Sequence, residues 1–249
     1  MPPLNNTVLI TGASRGIGAA TAIAAARNGF DVAVNYLKDE AAAQAVVETI
    51  LQHGRKAIAI QGDVGKADDI PRMFEMTEEK LGPLSALVNN TGITGPIGPF
   101  SNTTDDTIER VFQVNVFGTI QCSRAALASF ASNGAAGVII NVSSVAARTG
   151  SPNEYIHYAA SKAAIDAFTL GLAREVAAAG IRVCGVAPGS TLTEIHATAG
   201  EPNRPARVAP KIPMGRLARP EEVAETIVWL LSPAASYMTG TVVQCAGGL

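Results

Sequence analysis

A short apolar run, Val8-Leu-Ile10, passes without a linker into Thr11-Gly-Ala-Ser-Arg-Gly-Ile-Gly18 and then into an Ala-rich stretch that stops near Asn28-Gly29. Strand, glycine turn and helix in direct succession leave few folds open. A strand without alternating polar residues is buried on both faces, which implies a parallel sheet covered by helices on each side. Gly12 permits a tight turn, Gly16 lets backbone approach a pyrophosphate, and Gly18 lets the helix pack closely on the strand. The helix start presents free N–H groups to the same anion, and Ser14, Arg15 and Ile17 complete the turn. The spacing is GxxxGxG rather than GxGxxG, so its weight comes from the strand before it and the helix after it.

The same alternation continues along the chain. Strands are predicted at Thr7 to Thr11, Asp31 to Tyr36, Lys56 to Gln61, Leu84 to Asn89, Gly137 to Ser143, Arg182 to Ala187 and Thr241 to Gln244. Helices fall between them, with Gly29, Gly54, Gly82 and Gly180 where C-terminal caps belong. This predicts a single α/β domain over 1–249, a doubly wound parallel sheet of about seven strands with helices on both faces and right-handed crossovers. One segment breaks the rhythm. Thr191 to Arg219 holds Pro202, Pro205, Pro210 and Pro213 and reads as a long irregular insertion. It follows the carboxyl end of a strand, where ligand crevices of such sheets lie, so 191–219 is expected to be a substrate lid.

Composition narrows the class. Hydrophobic residues make up 47% of the 249 and charged residues only 16%, against about 25% in an ordinary domain. A surface so poor in charge hints at burial against other subunits. A net charge of −2 gives no reason to expect nucleic acid or an anionic membrane as partner. No secretion signal and no bilayer-length apolar stretch is evident, which predicts a cytoplasmic protein. Cys122, Cys184 and Cys245 lack any CxxC pairing, and His53, His157 and His196 lack HxxxH spacing, so neither a disulfide framework nor a metal site is expected. Without a secretion signal the glycosylation sequons at Asn5, Asn102 and Asn141 carry no meaning.

Tyr158-Ala-Ala-Ser-Lys162 carries the chemistry. The i to i+4 spacing in a helix-favouring run aims a phenol and an ammonium at one face. A cation held there favours the phenolate and is expected to pull the Tyr158 pKa down from about 10, so that the residue can serve as general acid or base. An isolated pair of this kind is usually an ordinary helix face. The rest of the chain gives it meaning.

With the glycine turn, the alternation and this pair in place, the chain resembles the short-chain dehydrogenase/reductase family over essentially its whole length. Thr11 to Gly18 matches the TGxxxGxG motif, Asp63-Val64 follows the third strand, and Asn89-Asn-Thr-Gly92 stands where NNAG is usual. The resemblance implies a Rossmann-type fold and a catalytic set of Asn115, Ser144, Tyr158 and Lys162, with Ser143 as the alternative to Ser144. It also implies cofactor contacts from Asp63, Val64, Asn90, Gly92, Tyr158, Lys162, Pro188-Gly189, Thr191 and Thr193. Lys162 would lower the Tyr158 pKa and hold the nicotinamide ribose, Ser144 would orient the substrate oxygen, and Asn115 would hold a water leading to Lys162. Three departures stand out. Thr91 replaces the usual Ala, Tyr158 follows Ser144 by fourteen positions, and Cys-Ala-Gly-Gly replaces VDGG near the end. Tyr155 is a decoy, since Ala159 occupies its i+4 position.

Cofactor choice follows from charge. The end of the second strand, where an Asp selects NAD in many such sheets, holds Tyr36 between Asn35 and Leu37. Arg15 and Lys38 can face a 2′-phosphate instead, so NADP(H) is expected over NAD(H). The leading expectation is an NADP-dependent oxidoreductase acting on a carbonyl or secondary alcohol. A sugar or polyol dehydrogenase is the alternative, and a catalytically silent nucleotide-sensing or scaffold protein is the alternative of another class. Ala125, Ala126, Ala128, Ala163, Ala164 and Ala167 on two long helices, matched to helices that pair between subunits in the family, predict a homotetramer.

Overall fold

A computed structural model describes residues 6–134 and 136–249; Asn5 lies outside them. Seven strands form one parallel sheet in the order β3-β2-β1-β4-β5-β6-β7. They are β1 (Thr7–Ile10), β2 (Asp31–Tyr36), β3 (Ala57–Gln61), β4 (Leu84–Asn89), β5 (Val138–Val142), β6 (Arg182–Pro188) and β7 (Val242–Cys245). Each predicted strand is present, with ends moved by a residue at most.

Alternation along each strand divides the core in two. Val8 and Ile10 of β1 and Val32 and Val34 of β2 pack with α1 (Gly16–Arg27), α2 (Glu40–Gln52) and, further along, α10 (Pro220–Leu231) on one face. Leu9 and Ala33 point the other way, toward α3 (Asp69–Leu81) and α5 (Thr119–Ser132), where Met73, Phe74 and Phe130 fill the second core. Residues that alternate faces yet are apolar on both explain the continuous hydrophobic runs.

Helix α4 (Asp105–Phe112) begins at Thr104, whose hydroxyl accepts the Thr107 N–H. It joins α5 through a wide π turn over Gln113–Gly118, and Asn115 lies inside it. The 21-residue α7 (Ile156–Val176) follows the short α6 (Ala146–Thr149). The segment 191–219, expected to be irregular, instead contains α8 (Ile195–Thr198) and α9 (Arg204–Val208). Proline at the second position of α9 is compatible with a first helical turn, which is why a proline-rich stretch still forms one. Strand order reverses between β1 and β4, and the loops leaving these strands splay apart there to open a crevice at their carboxyl ends.

Candidate active site

A cavity of about 820 Å³ occupies that crevice and runs from Gly12, Arg15 and Lys38 at one end to Glu154, Arg204 and Ile212 at the other. Among the described residues no cluster of His, Cys, Asp and Glu could hold a metal, and no helix is long and apolar enough to cross a membrane.

At the first end the backbone sets the shape. Gly12 has φ +62° and its N–H donates to the Asn35 side-chain amide oxygen Oδ1 at 3.1 Å. Gly18 has no room for a side chain, because a Cβ there would stand 2.4 Å from the Gly12 carbonyl oxygen and 2.5 Å from Asn90 Nδ2. Asn90 in turn donates to the carbonyls of Thr11 and Gly12 at 2.9 and 3.0 Å, and its own N–H reaches the Thr11 hydroxyl at 3.0 Å. The turn after β1 is thereby stitched to the loop after β4. This cradle of backbone and glycine fits a dinucleotide pyrophosphate. One group opposes it: a Glu194 oxygen lies 3.9 Å from where a Gly16 Cβ would stand. Glu194 is exposed and can swing outward as an anion enters.

In the middle, α7 presents Tyr158 and Lys162 to the cavity wall. The Lys162 side chain is buried and its Nζ donates to the Val142 carbonyl at 2.7 Å. Burial pulls its pKa down to about 8, with Asp166 one turn further along opposing the shift. A Cβ on Gly92 would stand 3.2 Å from Lys162 Nζ and 3.7 Å from Asn115 Oδ1, so these groups converge on one spot. Asn115 clasps Ile93, accepting its N–H and donating to its carbonyl, both at 2.9 Å, and donates to the Ser161 hydroxyl at 3.0 Å. Ser144 accepts the Ala146 N–H at 3.1 Å and bonds the Tyr158 phenol, which lowers the latter's pKa. Ser143 instead donates to the Lys162 carbonyl at 3.3 Å. Of the two serines, Ser144 is the one on Tyr158.

One electrostatic expectation is overturned. The Tyr158 pKa lies above its ordinary value, because burial of the phenol outweighs the hydrogen bond from Ser144 and the charge of Arg204. Lys162 Nζ lies 5.7 Å from the centre of the Tyr158 ring and is turned to the Val142 carbonyl. The ammonium therefore does not bring the phenol down in this arrangement.

The far end was not foreseen. Arg204 of α9 is buried and donates to Glu154 at 2.6 Å and to the Tyr155 hydroxyl at 2.8 Å. Arg207 reaches Glu154 at 2.8 Å and Glu201 at 2.6 Å. Nothing in local sequence signals the pairs to Glu154 and Tyr155, which join residues about fifty positions apart.

The chain matches the family profile described as enoyl-(acyl carrier protein) reductase over residues 12–249. It is 50% identical to the uncharacterized oxidoreductase YgfF of Escherichia coli, covering 96% of this chain and 98% of that protein. It is 39% identical to a 3-oxoacyl-[acyl-carrier-protein] reductase of Synechocystis, covering 97% and 95%. A crystal structure of 3-ketoacyl-(acyl-carrier-protein) reductase from Brucella melitensis complexed with NADH superposes with a TM-score of 0.89 at 32% identity, covering 98% of this chain and 97% of that one. The chain belongs to the short-chain dehydrogenase/reductase family. Its Rossmann-type sheet and its oxidoreductase class follow from that membership.

Set against the site residues expected for a short-chain dehydrogenase/reductase, the structure sorts them into two groups. Gly12, Ser14, Arg15, Gly16, Ile17, Lys38, Asn90, Gly92, Tyr158, Lys162, Pro188, Gly189, Thr191 and Thr193 line the cavity. Gly18, Asn35, Tyr36, Asp63, Val64, Asn115 and Ser144 do not, Ser143 standing on the wall in place of Ser144, and each has an internal task. Asn35 spans to the Ile60 and Gly62 carbonyls at 3.2 and 3.0 Å while holding Gly12. Tyr36 is buried under the sheet edge, and the neighbouring exposed Leu37 takes its place on the wall. Asp63 accepts the Gly65 N–H and pairs with Arg110, both at 2.8 Å, and Val64 packs under Gly118. Asn35 and Asp63 brace the scaffold of the cofactor end. Arg15 and Lys38 are exposed on the cavity rim, and their side chains make no hydrogen bond or ion pair among the described residues.

Proposed function

We propose that this protein is an NADP(H)-dependent oxidoreductase that interconverts a carbonyl and a secondary alcohol, with Tyr158 as general acid and base. The convergence of Tyr158 and Lys162 on a cavity that begins at the glycine turn, with Ser144 beside the phenol, carries the reading. The nicotinamide, when bound, supplies or accepts the hydride. Gly12, Gly16 and the start of α1 would hold its pyrophosphate, and Lys162 its ribose.

The remaining chemistry belongs to the chain. Ser144, which sits beside the phenol and hydrogen-bonds it, would turn its hydroxyl to fix a substrate oxygen there. Burial keeps Tyr158 protonated, which suits a donor: in reduction its phenolic O–H breaks and the proton passes to the substrate oxygen. In oxidation the same oxygen takes a proton from the alcohol. The charge of Arg204 then favours the phenolate, and Asn115, by fixing Ile93 and Ser161, holds the loop and helix that face each other at Lys162.

Preference for NADP(H) rests on Arg15 and Lys38, two exposed cations on the rim where Tyr36 leaves no carboxylate. The Brucella relative was crystallised with NADH, so both cofactors belong in the test. The charged groups at the far end, Glu154, Arg204 and Arg207, favour a hydroxyl-rich substrate and keep the sugar or polyol reading open. A homotetramer is supported by exposed Ala128, Ala163 and Ala167; Ala126 instead packs wholly into its own core. A cytoplasmic location and a lid role for 191–219 belong to the same proposal. Screening ketones, oxoacyl thioesters and sugars for oxidation of NADPH and NADH tests it. Turnover of one class with NADPH above NADH supports it, and no turnover of any class with either cofactor overturns it.

A further inference from the structure

Arg204 is carried on α9, inside the segment 191–219, yet its side chain is 8% exposed and its two shortest bonds leave that segment. They end on Glu154 and on Tyr155, the residue just before α7. The guanidinium carbon lies 5.4 Å from the centre of the Tyr155 ring. That ring meets Tyr158 edge to face, with centroids 5.2 Å apart at 86°. A continuous contact thus runs from α9 through Tyr155 to the residue proposed as the acid. Aromatic edge-to-face packing and a cation over a ring each depend on geometry, so displacement of one member is felt by the next.

We propose that Arg204 is a positioning residue for Tyr158: its bonds to Glu154 and Tyr155 fix where the Tyr158 ring stands, and the segment 191–219 supplies it only when folded over the cavity. This rests on the assignment of Tyr158 as the proton donor. The neighbours of each group define what it feels. Glu154 and His196 face Arg204, the His196 ring nitrogen at 3.4 Å, while Arg207 shares Glu154 and pairs with Glu201. Around Tyr158 stand Ser144 after β5, Tyr155 before α7, Lys162 on it and Arg204 from α9. Arg204 is the cation whose charge favours the Tyr158 phenolate, and it acts against the burial that holds the phenol protonated. The segment is attached at other points as well, since the Ile97 N–H donates to the Ala199 carbonyl at 3.0 Å and Thr191 bridges to Ala218. Loss of Arg204 therefore leaves the segment in place and removes the contact to the tyrosines.

The test uses Arg204→Met and Arg204→Lys in the full chain, with two readouts. The first is the alkaline tyrosinate absorbance change assigned to Tyr158 by subtracting the same trace from a Tyr158→Phe background. The second is kcat and KM with the best carbonyl from the screen. Arg204→Met should raise the Tyr158 transition by about half a pH unit or more and lower kcat at least about tenfold, with NADPH affinity within about twofold of wild type. Arg204→Lys, which restores the charge without the fork, should return the transition toward wild type and recover kcat in part. A folded Arg204→Met protein with unchanged transition and unchanged kcat overturns the proposal. If Arg204→Met does not fold, Tyr155→Phe takes its place, and a kcat and transition equal to wild type in that variant overturn it equally. The tyrosinate readout needs no substrate, so it stands even where no carbonyl is turned over. Normal turnover by Tyr158→Phe would instead sink the assignment of the acid.

Discussion

At the glycine end of the cavity, position is set by backbone: Gly12 at positive φ, Gly18 pressed on the Gly12 carbonyl, and Asn35 and Asn90 spending their amides on main-chain atoms. At the far end, position is set by charge, with Glu154 shared between Arg204 and Arg207. A backbone-built cradle costs little to keep and tolerates changes of pH and salt, while a charged clasp can open and close. That division suits an end that holds one invariant ligand group and an end that must admit and release a variable one. Lys162 and Tyr158 stand between the two and depend on both.

Changing Lys162 should have the largest effect, because it touches both halves. Lys162→Ala is expected to cut turnover at least about a hundredfold and also to weaken cofactor binding, read by steady-state kinetics and by fluorescence titration. A loss confined to one readout would show that the ends are independent at this residue.

Next, Gly18→Ala should damage the backbone-built end alone. Overpacking against carbonyl oxygen and Asn90 costs about 1–3 kcal/mol, seen in denaturant unfolding, with cofactor affinity falling alongside. Wild-type stability in that variant would mean that the turn is softer than its contacts imply.

A pH series separates activity from stability at Lys162. Its pKa is held at about 8 by burial, so the cation is lost as pH rises through that value, and reductive kcat should fall by up to about tenfold per unit above it. Stability should move the opposite way. Between about 8 and 10.4 the unfolded chain binds more protons at this residue than the folded one, so the Lys162 contribution to stability rises with pH. Comparing unfolding of wild type and Lys162→Met over that window isolates the slope; equal slopes would contradict the burial argument.

The smallest effect is expected at the rim. Arg15→Ala should weaken NADPH about fivefold while leaving NADH nearly unchanged, the scale of an exposed charge pair. Equal losses for both cofactors would remove the charge argument for NADP(H).

The seven strands and their helices were legible because burial on both faces leaves unbroken apolar runs, and Tyr158 and Lys162 because helical spacing places them together. What sequence did not reveal is how the side chains beside the crevice are held. Asn35 and Asp63 occupy positions next to the ligand crevice, and only the folded chain shows their polar atoms already spent on Gly12, Gly62, Gly65 and Arg110. Tyr36 is buried and leaves the wall to Leu37. The shift of the Tyr158 pKa was misjudged in sign, since helical spacing reveals the nearby ammonium but not the loss of water around the phenol. Arg204 stayed invisible for another reason: its partners are fifty residues away and carry no motif.

The claim that Tyr158 supplies the proton is tested most directly by single-turnover oxidation of bound NADPH in wild type and Tyr158→Phe, with NADPH affinity measured on the same samples. Removing only the hydroxyl should leave affinity within about twofold and slow the turnover at least about a hundredfold. A Tyr158→Phe protein that binds NADPH normally and oxidises it at the wild-type rate would contradict the account.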